Sequence, residues 1–431
     1  MLMKKTFSFF VFGVGLLFSP TVLGAALQVG LAKVEITPPL GGGTTGYSSA
    51  QPTDGVHDPV EARVVVFKSA ETMVGLVVWD LCVFNSPWLH EQREGLGLDV
   101  LLLANTHTHA GPNLREDTFP SPDAPWRRTV EERTLAAIRE AQSNLFAATV
   151  LAGVGEMPLG YNRLVRQAGG YAITHFENPH RVPFGPIDAE VGVLRINDHV
   201  GNVRCVLVNT ACHPVVLGPR NRKISADFPG VMRKRVEAKF GEGVMALFVQ
   251  GGAGDINPLI MARVADDRSG DFDLVQTVGE LLADEVLAVL QRMDERPGQG
   301  RTLKSASSSF SVGHRFEAEQ SIEVGTASVL INDEIGIVTL PGEPFHKFQR
   351  DLRELAEVPF TFFFGYTCNE GYRWPRYLPD LKSAAYGGYG ASDATIVEVG
   401  TGERLLHRGV AQLYQLQGRL RGEPVRHLNQ D

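Results

Sequence analysis

The feature that most constrains this chain is a short apolar run that breaks into a polar loop, repeated several times. Residues 100–104 open into Asn105-Thr106-His107-Thr108-His109-Ala110-Gly111-Pro112, and residues 206–208 open into NTACHP. Residues 246–249 open into QGGAGDINP, 336–340 into PGE, and 360–364 into GYTCNEGY. Runs of this length, mostly apolar with β-branched or aromatic members and bounded by turn residues, read as buried strands. If those strand ends lie on one side of a sheet, their loops converge on one pocket, as ligand-binding loops do in α/β enzymes.

The same reading gives strands at 62–67, 74–79, 100–104, 148–154, 190–196, 205–208, 245–249, 335–340 and 360–364. Amphipathic helices are expected at 129–143, 228–240, 274–292, 344–357 and 404–420. That mixture predicts an α/β (mixed α+β) fold, a single large domain over 27–431 with a mixed β-sheet core flanked by helices. Long loops at 105–127, 157–187 and 365–400 are expected to carry function.

The N-terminus carries the layout of a secretory signal. Lys4 and Lys5 precede the apolar stretch 7–18, and Ser19-Pro20 and the small residues Gly24-Ala25-Ala26 follow. A signal peptide over 1–26 and a secreted or periplasmic mature chain are therefore expected. The apolar run is short for a membrane anchor, and no later segment reaches the length of a span. A net charge of −8 with no basic stripe argues against nucleic acid as a partner. Four scattered cysteines, Cys82, Cys205, Cys212 and Cys368, are too few for a disulfide scaffold, although one bridge is allowed. None has the CxxC spacing of a zinc site.

Taken singly, most polar motifs have a structural explanation. His213 before Pro214 reads as a satisfied loop histidine, and Glu343 reads as a capping carboxylate at a helix start. The pair His107 and His109 is stronger, because two histidines two residues apart after a buried strand suit a metal or acid–base role. His57, His175, His180, His314, His346 and His407 show no comparable context and read as surface or loop residues.

Together, THTHAGP, Asn162-Arg163, DAEVGVLRI, CHP, GDINP, LPGE, and Tyr-Leu-Pro followed by Gly-Gly-Tyr resemble, in order, the catalytic domain of the neutral, non-lysosomal ceramidases. The resemblance runs from about Gly30 to Leu420. The immunoglobulin-like domain of longer members is expected to be absent. In that family two histidines, a glutamate and a tyrosine bind zinc. Carried over, the resemblance implies Zn2+ held by His107, His213, Glu343 and Tyr377, with Tyr372 the alternative to Tyr377. It also implies His109 as a non-ligand at the reacting group, Tyr389 as a second active-site tyrosine twelve residues after Tyr377, and Arg163 with Asp255 on the substrate side.

One position departs from the family. The ceramidases carry a nucleophilic serine where this chain has Asn257, and an asparagine amide cannot attack a carbonyl. The expectation is a zinc-dependent amidohydrolase of an N-acylated, ceramide-like substrate, working by direct attack of zinc-bound water with Asn257 as a hydrogen-bond donor. His109 would shuttle the proton to the leaving nitrogen. Aromatic residues in the long loops, among them Tyr161, Tyr171, Phe176, Phe184, Trp374 and Tyr386, could line an acyl channel, although packing is their commoner role. A small-molecule or lipid substrate and transient membrane-surface contact are the partners implied. Two other readings stand beside this one: a zinc hydrolase of another ester, amide or sugar-linked substrate, and a secreted binding protein with a vestigial metal site.

Overall fold

The computed structural model describes residues 27–47, 52–114, 119–262, 271–293, 302–369 and 374–420. The expected signal peptide and Tyr372 lie outside the described residues. Two sheets pack face to face. Among the described residues the larger has nine strands, in the order Met245–Gln250, Val203–Thr210, Glu190–Asp198, Phe146–Glu156, Gln28–Glu35, Glu61–Lys68, Met73–Trp79, Val100–Asn105 and Thr367–Cys368. The smaller has Leu303–Gly313, Ser321–Ile331, Ile335–Thr339 and Phe360–Phe364.

The alternation of side chains along a strand explains why these strands read as unbroken apolar runs. Val100, Leu102 and Ala104 point into the core between the sheets with Cys205, Leu207, Ile337 and Phe362. Their neighbours Leu101 and Leu103 face the helix Trp126–Ser143, and Val206 and Val208 face the helices Phe228–Phe240 and Phe272–Arg292. A strand buried on both faces has no polar side to show. The helices His346–Leu355 and Thr401–Leu416 cover the outer face of the smaller sheet, completing four layers. Close contact sets composition too: a Cβ on Gly30 would meet the Ala141 carbonyl oxygen at 1.8 Å, so only glycine lets the strand lie this near the helix.

Three parallel strand pairs position the functional loops. Met73–Trp79 pairs with Val100–Asn105, Val203–Thr210 with Met245–Gln250, and Ile335–Thr339 with Phe360–Phe364. Each pair needs a crossover, supplied by the helices Pro87–Gln92, Phe228–Phe240 and His346–Leu355. The loops after these strands carry His107, His213, Asn257, Glu343 and Tyr366.

The mixed α/β class with helices flanking the sheet core agrees with the sequence reading. Three long strands were not anticipated, Gln28–Glu35, Leu303–Gly313 and Ser321–Ile331, nor were the two- and three-residue strands such as Thr367–Cys368. The serine-rich Leu303–Gly313 alternates partly buried and exposed positions, so its apolar content is too low to stand out. Glu343 does not begin the helix that follows it; Glu343–Pro344 is a short strand paired with Tyr377–Leu378, and the helix starts at His346. The four cysteines are buried and unbridged. Among the described residues no helix is long and apolar enough to cross a membrane.

Candidate metal centre

His107, His213 and Glu343 come together at the strand ends, and all three are buried. Glu343 Oε2 lies 3.3 Å from His107 Nε2 and 3.4 Å from His213 Nε2. Two donor atoms on a tetrahedral ion at about 2.1 Å are roughly 3.4 Å apart, so these spacings match the edges of a coordination sphere.

The imidazoles are held by backbone carbonyls. His107 Nδ1 is 2.7 Å from the Cys82 carbonyl oxygen, and His213 Nδ1 is 2.7 Å from that of Ala253 and 3.0 Å from that of Ile256. A carbonyl can only accept, so each Nδ1 carries the proton and each Nε2 lone pair is left for an ion, the usual arrangement behind metal-binding histidines. His213 Nε2 and Glu343 Oε2 have no hydrogen-bond partner among the described residues. Buried polar atoms are rarely left this way without a function. The donor set therefore fits a metal ion: two imidazoles, which an ion would hold in the neutral form, and one carboxylate.

The charges agree. Burial works against the Glu343 carboxylate, but the two histidines outweigh it and hold its pKa well below the usual range. Burial alone would lower His107 as well, yet Cys82 and Glu343 raise it to about 10. His213 is lowered to about 4, chiefly by burial. One proton between two imidazoles thus balances the carboxylate in the metal-free chain.

Backbone strain concentrates here. His107, Tyr366 and Arg376 all have positive φ, at 70°, 54° and 61°, a conformation that side-chain-bearing residues avoid outside over-determined sites.

His109, partly buried, has Nε2 3.2 Å from His107 Nε2. A Cβ on Gly46 would come within 2.3 Å of His109 Nδ1, and the Tyr47 ring packs edge-on against His109 at 4.7 Å. Burial first, then His107 and His213, push the His109 pKa well below 6.5, so it stands neutral.

On the other side, the parallel register Glu343↔Tyr377 sets the phenol beside the carboxylate. The Arg163 guanidinium lies 5.2 Å from the Tyr377 ring centroid and 5.3 Å from that of Tyr389. Arg163 also donates to Gly254 O at 2.6 Å and to Asn257 Oδ1 at 3.3 Å. Asn257 Nδ2 donates to Phe176 O at 3.1 Å, so both ends of that amide contact protein.

Asp255 is buried, with both carboxylate oxygens engaged by protein groups. Its carboxylate accepts from Asn162 Nδ2 at 2.7 Å, from His346 N at 2.9 Å and from His346 Nδ1 at 2.7 Å. His346 is thus a buried ion-pair partner and not a surface residue. Sequence spacing gave no sign of this pair, because the partners are 91 positions apart. Burial raises Asp255, but His346 outweighs it and its pKa is lowered from 3.8; burial lowers His346, but Asp255 outweighs it and raises it above 6.5. The carboxylate's contribution is present above about 3.9 and lost as pH falls through its folded value, while the imidazole's is present below about 6.5 and lost as pH rises through its folded value. Asp255→Asn should therefore cost most stability between pH about 4 and 6.5, and less above that range, by urea unfolding of both proteins. A difference that ignores pH would contradict this pairing.

A two-sheet α/β protein with a His–His–Glu centre at its strand ends is thus defined. No protein-family model matches the chain, and no curated protein matches it by sequence. Solved structures do match. The crystal structure of neutral ceramidase from Pseudomonas aeruginosa superposes with a TM-score of 0.72 at 18% identity, covering 92% of this chain and 75% of that one. A ceramidase complexed with C2 superposes at 0.73 and 18% identity, covering 93% and 76%. The chain has the ceramidase fold.

Proposed function

We propose that this chain is a secreted or periplasmic zinc-dependent hydrolase that cleaves the amide bond of an N-acylated, ceramide-like substrate. The observation that carries the reading is the convergence of His107 Nε2, His213 Nε2 and Glu343 Oε2, with both histidines locked by carbonyls on their far nitrogens. The ceramidase fold supports the substrate class. His107, His213, Glu343 and Tyr377 would hold the zinc. When bound, the ion acidifies a coordinated water to a pKa of roughly 7 and polarises an amide carbonyl.

The chain's own groups then divide the work. His109, neutral beside the centre, accepts a proton from water as the water oxygen bonds to the acyl carbon. It returns that proton to the nitrogen as the carbon–nitrogen bond breaks, giving a carboxylic acid and an amine. Arg163 holds Tyr377 and Tyr389 against the site and binds the head group. Asp255, with its oxygens committed to Asn162 and His346, is read as a positioning residue that keeps the Ala253 and Ile256 carbonyls on His213. Asn257 supports Arg163. Asn257→Ala should lower turnover by about tenfold through loss of that hydrogen bond, and an unchanged rate would remove Asn257 from the mechanism.

The test is metal analysis of the purified full chain together with turnover of a fluorescent N-acyl-sphingosine. Stoichiometric zinc with hydrolysis supports the reading. Zinc without hydrolysis of any acyl amide favours a binding protein, and turnover of esters or glycosides alone favours the other hydrolase class.

A further inference from the structure

Tyr366 is a feature of the centre that the expected site residues leave out. Its side chain is fully buried, and its hydroxyl has no hydrogen-bond partner among the described residues. An orphaned buried hydroxyl is destabilising in general, so it persists where something supplies the missing partner. The ring is fixed beside the metal ligands, with its centroid 4.4 Å from that of His107 and 6.2 Å from that of His213. It packs on Ala211 and Ala253, the residues flanking the His213 loop and the carbonyl that holds His213.

The backbone is fixed as firmly. Tyr366 N donates to Gly342 O at 3.1 Å, and Tyr366 O accepts from Asn105 N at 3.2 Å and from Asn105 Nδ2 at 3.3 Å. These bonds join the loop that bears Glu343 to the strand that leads to His107, and they hold Tyr366 at φ 54°. A second open donor is close: Trp374 Nε1 is also unpartnered, and its ring centroid lies 6.3 Å from that of Tyr366. Two unpartnered donors side by side suit a ligand oxygen. Tyr377 differs, because its hydroxyl is engaged by Glu343 and Arg163. Asn257, expected on sequence grounds to stabilise the developing charge, already contacts protein at both ends of its amide.

We infer that Tyr366 is a further catalytic residue, whose hydroxyl donates to the acyl oxygen of the substrate as the carbonyl electron pair moves onto that oxygen. The inference rests on the amide-hydrolase reading. No proton is transferred in this contact. The bond strengthens as charge develops and relaxes when the carbonyl re-forms, the behaviour expected of an oxyanion donor.

Tyr366→Phe keeps the ring against His107 and removes only the hydroxyl. Its kcat on the fluorescent amide should fall on the order of 100-fold with KM within about twofold. Bound zinc should stay at the wild-type level, and Tm should hold or rise, because an unsatisfied buried group is lost. A kcat/KM within twofold of wild type, loss of zinc, or a lowered Tm would each overturn the assignment; the last two would make Tyr366 a ligand or a structural hydroxyl. Acetate, whose oxygens only accept, separates this inference from the functional reading. If the wild-type chain hydrolyses no amide, acetate binding to the zinc-loaded protein still decides: about tenfold weaker binding in Tyr366→Phe supports the open donor, and equal affinity contradicts it.

Discussion

Glu343→Gln is expected to strip the chain of zinc and to lower amide turnover on the order of a thousandfold or more. The glutamate is the single anionic member of the His107–His213–Glu343 set, and its Oε2 stands within 3.4 Å of both imidazole nitrogens. A neutral amide there would leave two imidazoles and a phenol to hold a dication. The Lewis-acid contribution at such centres is worth several kcal/mol, and each 1.4 kcal/mol is a factor of ten. The substitution is nearly isosteric, so the circular dichroism spectrum should not change. Metal analysis and turnover read the effect together. A variant that keeps stoichiometric zinc and wild-type turnover would remove Glu343 from the centre.

His109→Gln should give the opposite pattern, with zinc retained and kcat reduced about 100- to 10,000-fold. The His109 side chain is seated by Gly46 and Tyr47, and its backbone N–H donates to Pro214 O at 3.2 Å, next to His213. It can therefore lose its imidazole without disturbing the ligands. Its pKa is depressed by burial and the neighbouring histidines, so it is neutral in the resting chain. A glutamine fills the space but cannot accept water's proton and pass it on. Stopped assays at saturating substrate, with zinc content measured on the same sample, separate this from a binding defect. If kcat survives, the proton passes through another group.

Much of this was readable from the chain because the fold exposes it as pattern. Strands buried on both faces gave continuous apolar runs, and the loop after one of them carried His107 and His109 as a conspicuous pair, whereas His213 and Glu343 stood out only through the family resemblance. The helix Phe228–Phe240 and the strand Phe360–Phe364 match their expected bounds. Other parts had no linear signal. Leu303–Gly313 hid behind its serines because much of one face is wet. The pairing of Glu343–Pro344 with Tyr377–Leu378 depends on a contact between distant segments, so Glu343 read as a helix cap. The Asp255–His346 pair and the open hydroxyl of Tyr366 are properties of three-dimensional neighbours. A conspicuous spacing marks two functional histidines such as His107 and His109, but no spacing marks a hydroxyl that lacks a partner.

The most direct test of the central claim is the position of zinc in crystals of the metal-loaded chain, located by anomalous scattering at the zinc edge. The expected result is one strong peak about 2.0–2.2 Å from His107 Nε2, His213 Nε2 and a Glu343 carboxylate oxygen, with the Tyr377 hydroxyl beside it. A peak held by other residues, or none at these three atoms, would contradict the assignment of this centre as a zinc site.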